Sequence, residues 1–156
     1  MIERSRLIDK DGAEGLFYSL KQINDGYFVD RSKHIKNYGV NGEVGQYKTA
    51  FELPDGAMDK IFRKLAPKNI GKEELDMVLI NKYKAGDWMP KHRDKTMHTT
   101  MTLLFLGYGT YLRFYIGDEV IEIEEEPGLT ITVPTNLLHD VSGIDKERFV
   151  VLYMYK

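Results

Sequence analysis

From Thr100 to Pro134 the chain reads Thr100-Met101-Thr102-Leu103-Leu104-Phe105-Leu106, Gly107-Tyr108-Gly109-Thr110, Tyr111-Leu112-Arg113-Phe114-Tyr115-Ile116, Gly117-Asp118-Glu119, Val120-Ile121-Glu122-Ile123-Glu124, Glu125-Glu126-Pro127-Gly128 and Leu129-Thr130-Ile131-Thr132-Val133-Pro134. Short runs of β-branched and aromatic residues are punctuated by Gly, Pro and Asp, which is the pattern of consecutive strands joined by tight turns. Working outward, Met77–Tyr83 and Phe149–Tyr155 read as strands too, so the chain turns to β from Asp76 onward. Before that point, Asp11–Asn24 reads as a helix, with Asp11 and Glu14 as a capping box and Leu16, Leu20 and Ile23 on one face. A second helix is expected after Pro54, with Met58, Ile61, Phe62 and Leu65 inward and Pro67 stopping it. Tyr27–Gly45 between them reads as an ordered, exposed loop or hairpin. Helices first and strands afterward predict an α+β, mainly β chain, a β-sandwich or jelly roll buttressed by N-terminal helices.

Length and composition bound the rest. The 156 residues suit one domain, and 42% hydrophobic with 29% charged residues is ordinary for a globular protein. No apolar run approaches the roughly 18 residues of a membrane span. Met1–Arg6 lacks an apolar h-region, which predicts a cytoplasmic protein. Cysteine is absent, excluding disulfide scaffolds, thiolate zinc sites and thiol nucleophiles, so any metal must be held by nitrogen and oxygen. A net charge of -2 argues against a surface that coats nucleic acid throughout, while leaving room for a local basic face. The stretch Asp118–Glu126 holds six acidic residues in nine and reads as a strand with a solvated acidic face.

One constellation carries chemistry. His92 and Asp94 lie two residues apart, so in an extended segment both point to one side. His139 follows several strands later, just past Val133-Pro134-Thr135-Asn136. Two histidines and one carboxylate on one face of a metal leave positions open for substrate and oxygen, as in non-haem Fe(II) oxygenases. Arg148 opens the last apolar strand and suits bidentate capture of a carboxylate, the bland alternative being an ion pair with Asp145 or Glu147. Asn81 and Tyr83 alternate on the strand leading toward His92, so an amide and a phenol share a face.

These residues resemble the AlkB family of Fe(II)/2-oxoglutarate dioxygenases. The match rests on Asn81-Lys82-Tyr83, the turn Ala85-Gly86-Asp87, Pro90-Lys91-His92-Arg93-Asp94 and Pro134-Thr135-Asn136 before His139. More loosely, Arg31 through Asn37-Tyr38-Gly39 to Pro54 is similar to that family's nucleotide-recognition region. The resemblance implies a double-stranded β-helix core over 76–156, a substrate lid over about 26–50, and one dioxygenase domain spanning 1–156. It implies that His92, Asp94 and His139 bind Fe(II), and that Arg148, Tyr83 and Asn81 bind 2-oxoglutarate, with O2 as co-reactant. Two positions depart from the family's pattern: Met154 stands where a second arginine is usual, and Thr96 where repair members carry a carboxylate.

The substrate reading follows from the surroundings. Lys82, Lys84, Lys91, Arg93 and Lys95 flank the metal motif, and Arg31, Lys33, Lys36 and Lys48 accompany Tyr38 and Tyr47 upstream. Cations for phosphates and aromatic faces for a base suit a single-stranded or flipped-base substrate. The expected activity is oxidative demethylation or hydroxylation of a modified base in DNA or RNA by a monomer, with Tyr38, Tyr47, Trp88, Arg93 and Thr96 as substrate contacts. The alternative is hydroxylation of a protein or small molecule by the same centre, kept open by Met154 and Thr96. A non-enzymatic binding barrel is the third possibility.

Overall fold

The computed structural model describes residues 1–31 and 39–156. Among these, strands β1 (Glu3–Arg6), β2 (Val29–Asp30), β3 (Lys48–Ala50), β4 (Asn69–Ile70), β5 (Glu73–Tyr83), β7 (Thr100–Leu106), β10 (Leu129–Pro134) and β12 (Arg148–Tyr155) form the larger sheet. Its order is β1-β10-β7-β12-β5-β3-β2, with β4 pairing separately to β5. The smaller sheet runs β6-β11-β8-β9, from β6 (Met89–His92), β11 (Leu138–Val141), β8 (Gly109–Ile116) and β9 (Glu119–Glu125). Pairing is antiparallel throughout. Two facing antiparallel sheets with helices on the outside make the expected jelly roll.

Strand alternation sorts side chains between two cores. On β5, Val78 and Ile80 join Phe149, Val151 and Tyr153 of β12 in a cluster under the helices. The opposite face of the large sheet supplies Met101, Leu103, Phe105, Val150 and Met154, which meet Leu112, Phe114, Ile123 and Val141 of the small sheet. A cavity opens within this second, inter-sheet layer.

The helical layer is thinner than the sequence suggests. Helix α1 spans Lys10–Lys21 and is capped by Asp9, whose carboxylate accepts the Gly12 N–H at 2.7 Å; the Asp11–Glu14 capping box does not form. Asn24 instead accepts from Gly26 at 2.8 Å and caps a separate 3₁₀ turn, Asp25–Tyr27. Helix α1 packs on β7 and β12, with Phe17 edge-on to Phe149 at 5.6 Å. After Pro54 the chain makes a 3₁₀ turn, a π-helical turn over Met58–Phe62, and the short α2 (Arg63–Leu65). The wider π winding keeps Met58 and Phe62 buried but turns Ile61 outward, contrary to the expected inward face. The last carbonyls of this segment find partners on β12: Tyr153 donates to Phe62 O at 2.7 Å and Tyr155 to Pro67 O at 2.8 Å.

Candidate active site

Strands β6 and β11 put the two histidines opposite one another. His92 and His139 are direct antiparallel partners, so their side chains leave the sheet on one face, with ring centroids 4.2 Å apart. Strand β6 is an edge strand, which tolerates Pro90 in its second position. Asp94 follows just beyond it, with Oδ1 3.1 Å from His92 Nε2 and Oδ2 3.9 Å from His139 Nε2. Each of the three residues offers a ligand atom within 4.8 Å of the others.

The outer hydrogen bonds fix how the rings are used. His92 Nδ1 lies 2.6 Å from Pro90 O, and His139 Nδ1 lies 2.8 Å from Leu137 O. A carbonyl oxygen only accepts, so each Nδ1 carries the hydrogen, and in the neutral ring each Nε2 keeps its lone pair on the Asp94 side. Burial lowers the pKa of His139, outweighing the raising effect of Asp94, and favours the neutral imidazole that a metal requires. The two imidazole lone pairs and the carboxylate are all acceptors, and a divalent cation satisfies them together. The nitrogen and oxygen donor set fits Fe(II).

His139 and Asp94 line a cavity of about 390 Å³ whose walls also include Asn81, Tyr83, Thr49 and Arg148. Asn81 and Tyr83 point the same way from β5, and Arg148 is the direct partner of Tyr83 across β5 and β12. Asn81 Oδ1 accepts from Thr49 Oγ1 at 2.8 Å, and its Nδ2 donates to Tyr83 Oη at 3.4 Å. Thr49 escaped the sequence reading because β3 is three residues long. Burial drives the Tyr83 pKa far above its ordinary value, so its hydroxyl keeps its proton. The Arg148 guanidinium lies over Tyr83 at 4.5 Å from the ring centroid and over Tyr111 at 5.3 Å.

Arg148 has a partner the sequence did not suggest. Neither Asp145 nor Glu147 pairs with it; its Nη1 lies 2.9 Å from Glu125 Oε1, and both side chains are buried. Asp145 instead accepts from the Tyr111 hydroxyl. The acidic run is therefore not a wholly solvated face. Alternation along β9 turns Ile123 and Glu125 inward and leaves Glu122 and Glu124 exposed.

The substrate contacts expected from sequence scatter. Tyr38, Lys33 and Lys36 lie outside the described residues. Tyr47 lines the cavity but is buried, with its ring stacked on Tyr83 at 5.6 Å, so it is no open platform for a base. Trp88 is 38% exposed, does not line the cavity, and pairs through its backbone with Gln46. Arg93 is exposed and also lies off the cavity wall. Thr96 is at the wall, tied to His98 Nδ1 at 2.6 Å, and His98 Nε2 lies 2.7 Å from Asp76. The basic set is partly neutralised: Asp25 pairs with Lys48, with Lys82 at 3.1 Å and with Lys84 at 4.0 Å. Lys91 covers the Tyr115 ring at 4.0 Å, leaving Arg31 and Lys95 as cations on the cavity wall. Met154 lines the same cavity from the far end of β12, about 20 Å along the strand from Arg148.

No family model matches the chain. Uncharacterized protein L905 of Acanthamoeba polyphaga mimivirus is 24% identical over 109 residues, 66% of this chain, which spans about half (52%) of that relative's length. Among solved structures, a Pseudomonas putida prolyl-4-hydroxylase superposes with a TM-score of 0.69 at 13% identity, covering 99% of this chain and 91% of its own. A Trichoplax adhaerens prolyl hydroxylase in complex with a hypoxia inducible factor peptide fragment gives 0.70 at 13% identity, covering 99% and 82%. The viral collagen prolyl hydroxylase of Paramecium Bursaria Chlorella virus-1, in its 2OG complex, gives 0.63 at 14% identity, covering 99% and 94%. The fold is the one these prolyl hydroxylases share. The likeness is one of fold, and it does not single out the AlkB family.

Proposed function

We propose that this protein is an Fe(II)- and 2-oxoglutarate-dependent hydroxylase of a protein or small-molecule substrate. The observation that carries the reading is the convergence of His92, Asp94 and His139 beside the cavity that also holds Arg148, Tyr83 and Asn81. Bound Fe(II), with 2-oxoglutarate and O2, supplies oxidation of a C–H bond with release of succinate and CO2. The chain's own residues bind and orient. The two Nε2 atoms and the Asp94 carboxylate hold the ion. Arg148 takes the distal carboxylate of the cosubstrate, and the Tyr83–Asn81–Thr49 chain aligns it. The apolar walls, with Met77, Met101 and Met154, exclude water.

A peptide-like substrate is favoured over a base by the site's own contacts. Tyr47 is engaged with Tyr83, Lys48 and Lys82 are engaged with Asp25, and a structural neighbour is described in complex with a peptide. The second reading, an AlkB-like demethylase of a modified base, is supported by the Asn81-x-Tyr83 and His92-x-Asp94 pattern and by Arg31, Lys95 and Thr96 on the cavity wall. Succinate release in the presence of proline-containing peptides, small amides and methylated oligonucleotides separates the two. Stimulation by peptides or small amides supports hydroxylation. Stimulation by oligonucleotides alone, with formaldehyde release, replaces it with the second reading.

A further inference from the structure

Glu125 and Arg148 form an ion pair whose alignment leaves it open to a third partner. Their nearest atoms are 2.9 Å apart, yet both Glu125 oxygens and the Nε and Nη1 atoms of Arg148 lack an aligned hydrogen bond among the described residues. Both side chains are buried, and Arg148 faces the cavity whereas Glu125 lies off its wall. The backbone closes tightly here: a β-carbon on Gly107 would fall 2.7 Å from Arg148 Cβ, and one on Gly109 (φ +141°) would fall 1.8 Å from the Tyr111 ring.

We propose that Glu125 is a positioning residue that takes up a proton when a carboxylate binds Arg148, so that dicarboxylate affinity falls as pH rises. The inference rests on the cosubstrate reading above. One cation and one anion are buried as a neutral pair. A ligand carboxylate would make the group net negative in a desolvated place, at high cost. Protonating Glu125 restores neutrality, frees the guanidinium for the ligand and turns an oxygen into a donor. Burial already pushes Glu125 up to about 7, while Arg148 pulls it down. The other groups around the pair do not substitute for it. Tyr83, Tyr111 and Tyr47 are phenols, the first two with raised pKa values, and Asp145 is engaged by Tyr111. Asp94 and His139 line the same cavity and belong to the metal triad.

The test is calorimetric titration of Mn(II)-loaded protein at pH 8.5, without O2, in buffers of different ionisation enthalpy. 2-Oxoglutarate is compared with 2-oxobutyrate, the same keto acid without the distal carboxylate. Wild type should take up close to one more proton with 2-oxoglutarate, and its affinity should fall by up to about tenfold per pH unit above neutrality. Glu125→Gln should bind 2-oxoglutarate without that proton and without the pH slope. Equal proton uptake for both acids in wild type overturns the proposal, as does the extra proton persisting in Glu125→Gln; the wild-type comparison stands alone if the variant does not fold. Binding of neither acid overturns the cosubstrate reading itself.

Discussion

His92 and His139 are Cα partners on adjacent antiparallel strands, their rings 4.2 Å apart and each Nδ1 placed against a backbone carbonyl two residues earlier in the chain. The strand register therefore aims both Nε2 atoms at Asp94 before any ion arrives. His92→Ala, Asp94→Ala or His139→Ala should each weaken divalent-metal binding by more than the roughly 10–100-fold cost of losing an outer partner. Metal titration by calorimetry checks this, and unchanged affinity in any one variant removes that residue from the triad.

Arg148→Met should reduce 2-oxoglutarate affinity by on the order of 2–5 kcal/mol, because it deletes one partner of a desolvated charge pair. Tyr83→Phe removes one neutral hydrogen bond and should cost about 0.5–1.5 kcal/mol. Metal affinity measured without cosubstrate should not change in either. Equal cosubstrate affinity in Arg148→Met and wild type would move this role to another cation, with Arg31 and Lys95 the ones on the cavity wall.

Glu125 also sets a stability profile. Its pKa rises from 4.5 to about 7 in the folded protein, so folding favours its protonated form. Its contribution is fully present below pH 4.5 and is lost as pH rises toward 7, a change on the order of 3 kcal/mol. Urea melts at pH 5 and pH 8 should show Glu125→Gln gaining on wild type at the higher pH. A constant difference between the two proteins would show that Glu125 titrates normally.

Asp25 behaves oppositely. Hydrogen bonds from Lys48 and Lys82 lower it from 3.8 to about 2, so its contribution is present above pH 3.8 and lost as pH falls toward 2. With its side chain 46% exposed, screening should hold this to below about 1 kcal/mol. Asp25→Asn should flatten the acid limb of the stability curve over that window, and added salt should shrink the difference. A wild-type acid limb in Asp25→Asn would show that this cluster contributes nothing.

What was legible in the sequence follows periodicity. The strands β5, β7, β8, β9, β10 and β12 showed themselves by apolar runs between turn residues, and the jelly roll followed from them. Asn81 with Tyr83, and His92 with Asp94, could be paired because i and i+2 share a side in extended chain. Strands β6 and β11 were hidden because they are four residues each and carry Pro90, Lys91 and Asp140 among their apolar positions. Glu125 was hidden by its neighbours: in a run of acids, only its register on β9 and a cation 23 residues away decide that it is buried. Tyr47 looked like a free aromatic in a polar loop, and Tyr83, 36 residues on, stacks against it.

Whether the triad and Arg148 serve one chelating cosubstrate is read by titrating 2-oxoglutarate into the Fe(II)-loaded protein without O2. The readout is the visible charge-transfer absorption of a keto acid chelating ferrous iron. Wild type should develop a saturable band that His139→Ala abolishes and Arg148→Met shifts to much higher ligand concentration. A wild-type protein that binds Fe(II) yet shows no such band at any 2-oxoglutarate concentration would show that the triad and Arg148 do not hold this cosubstrate.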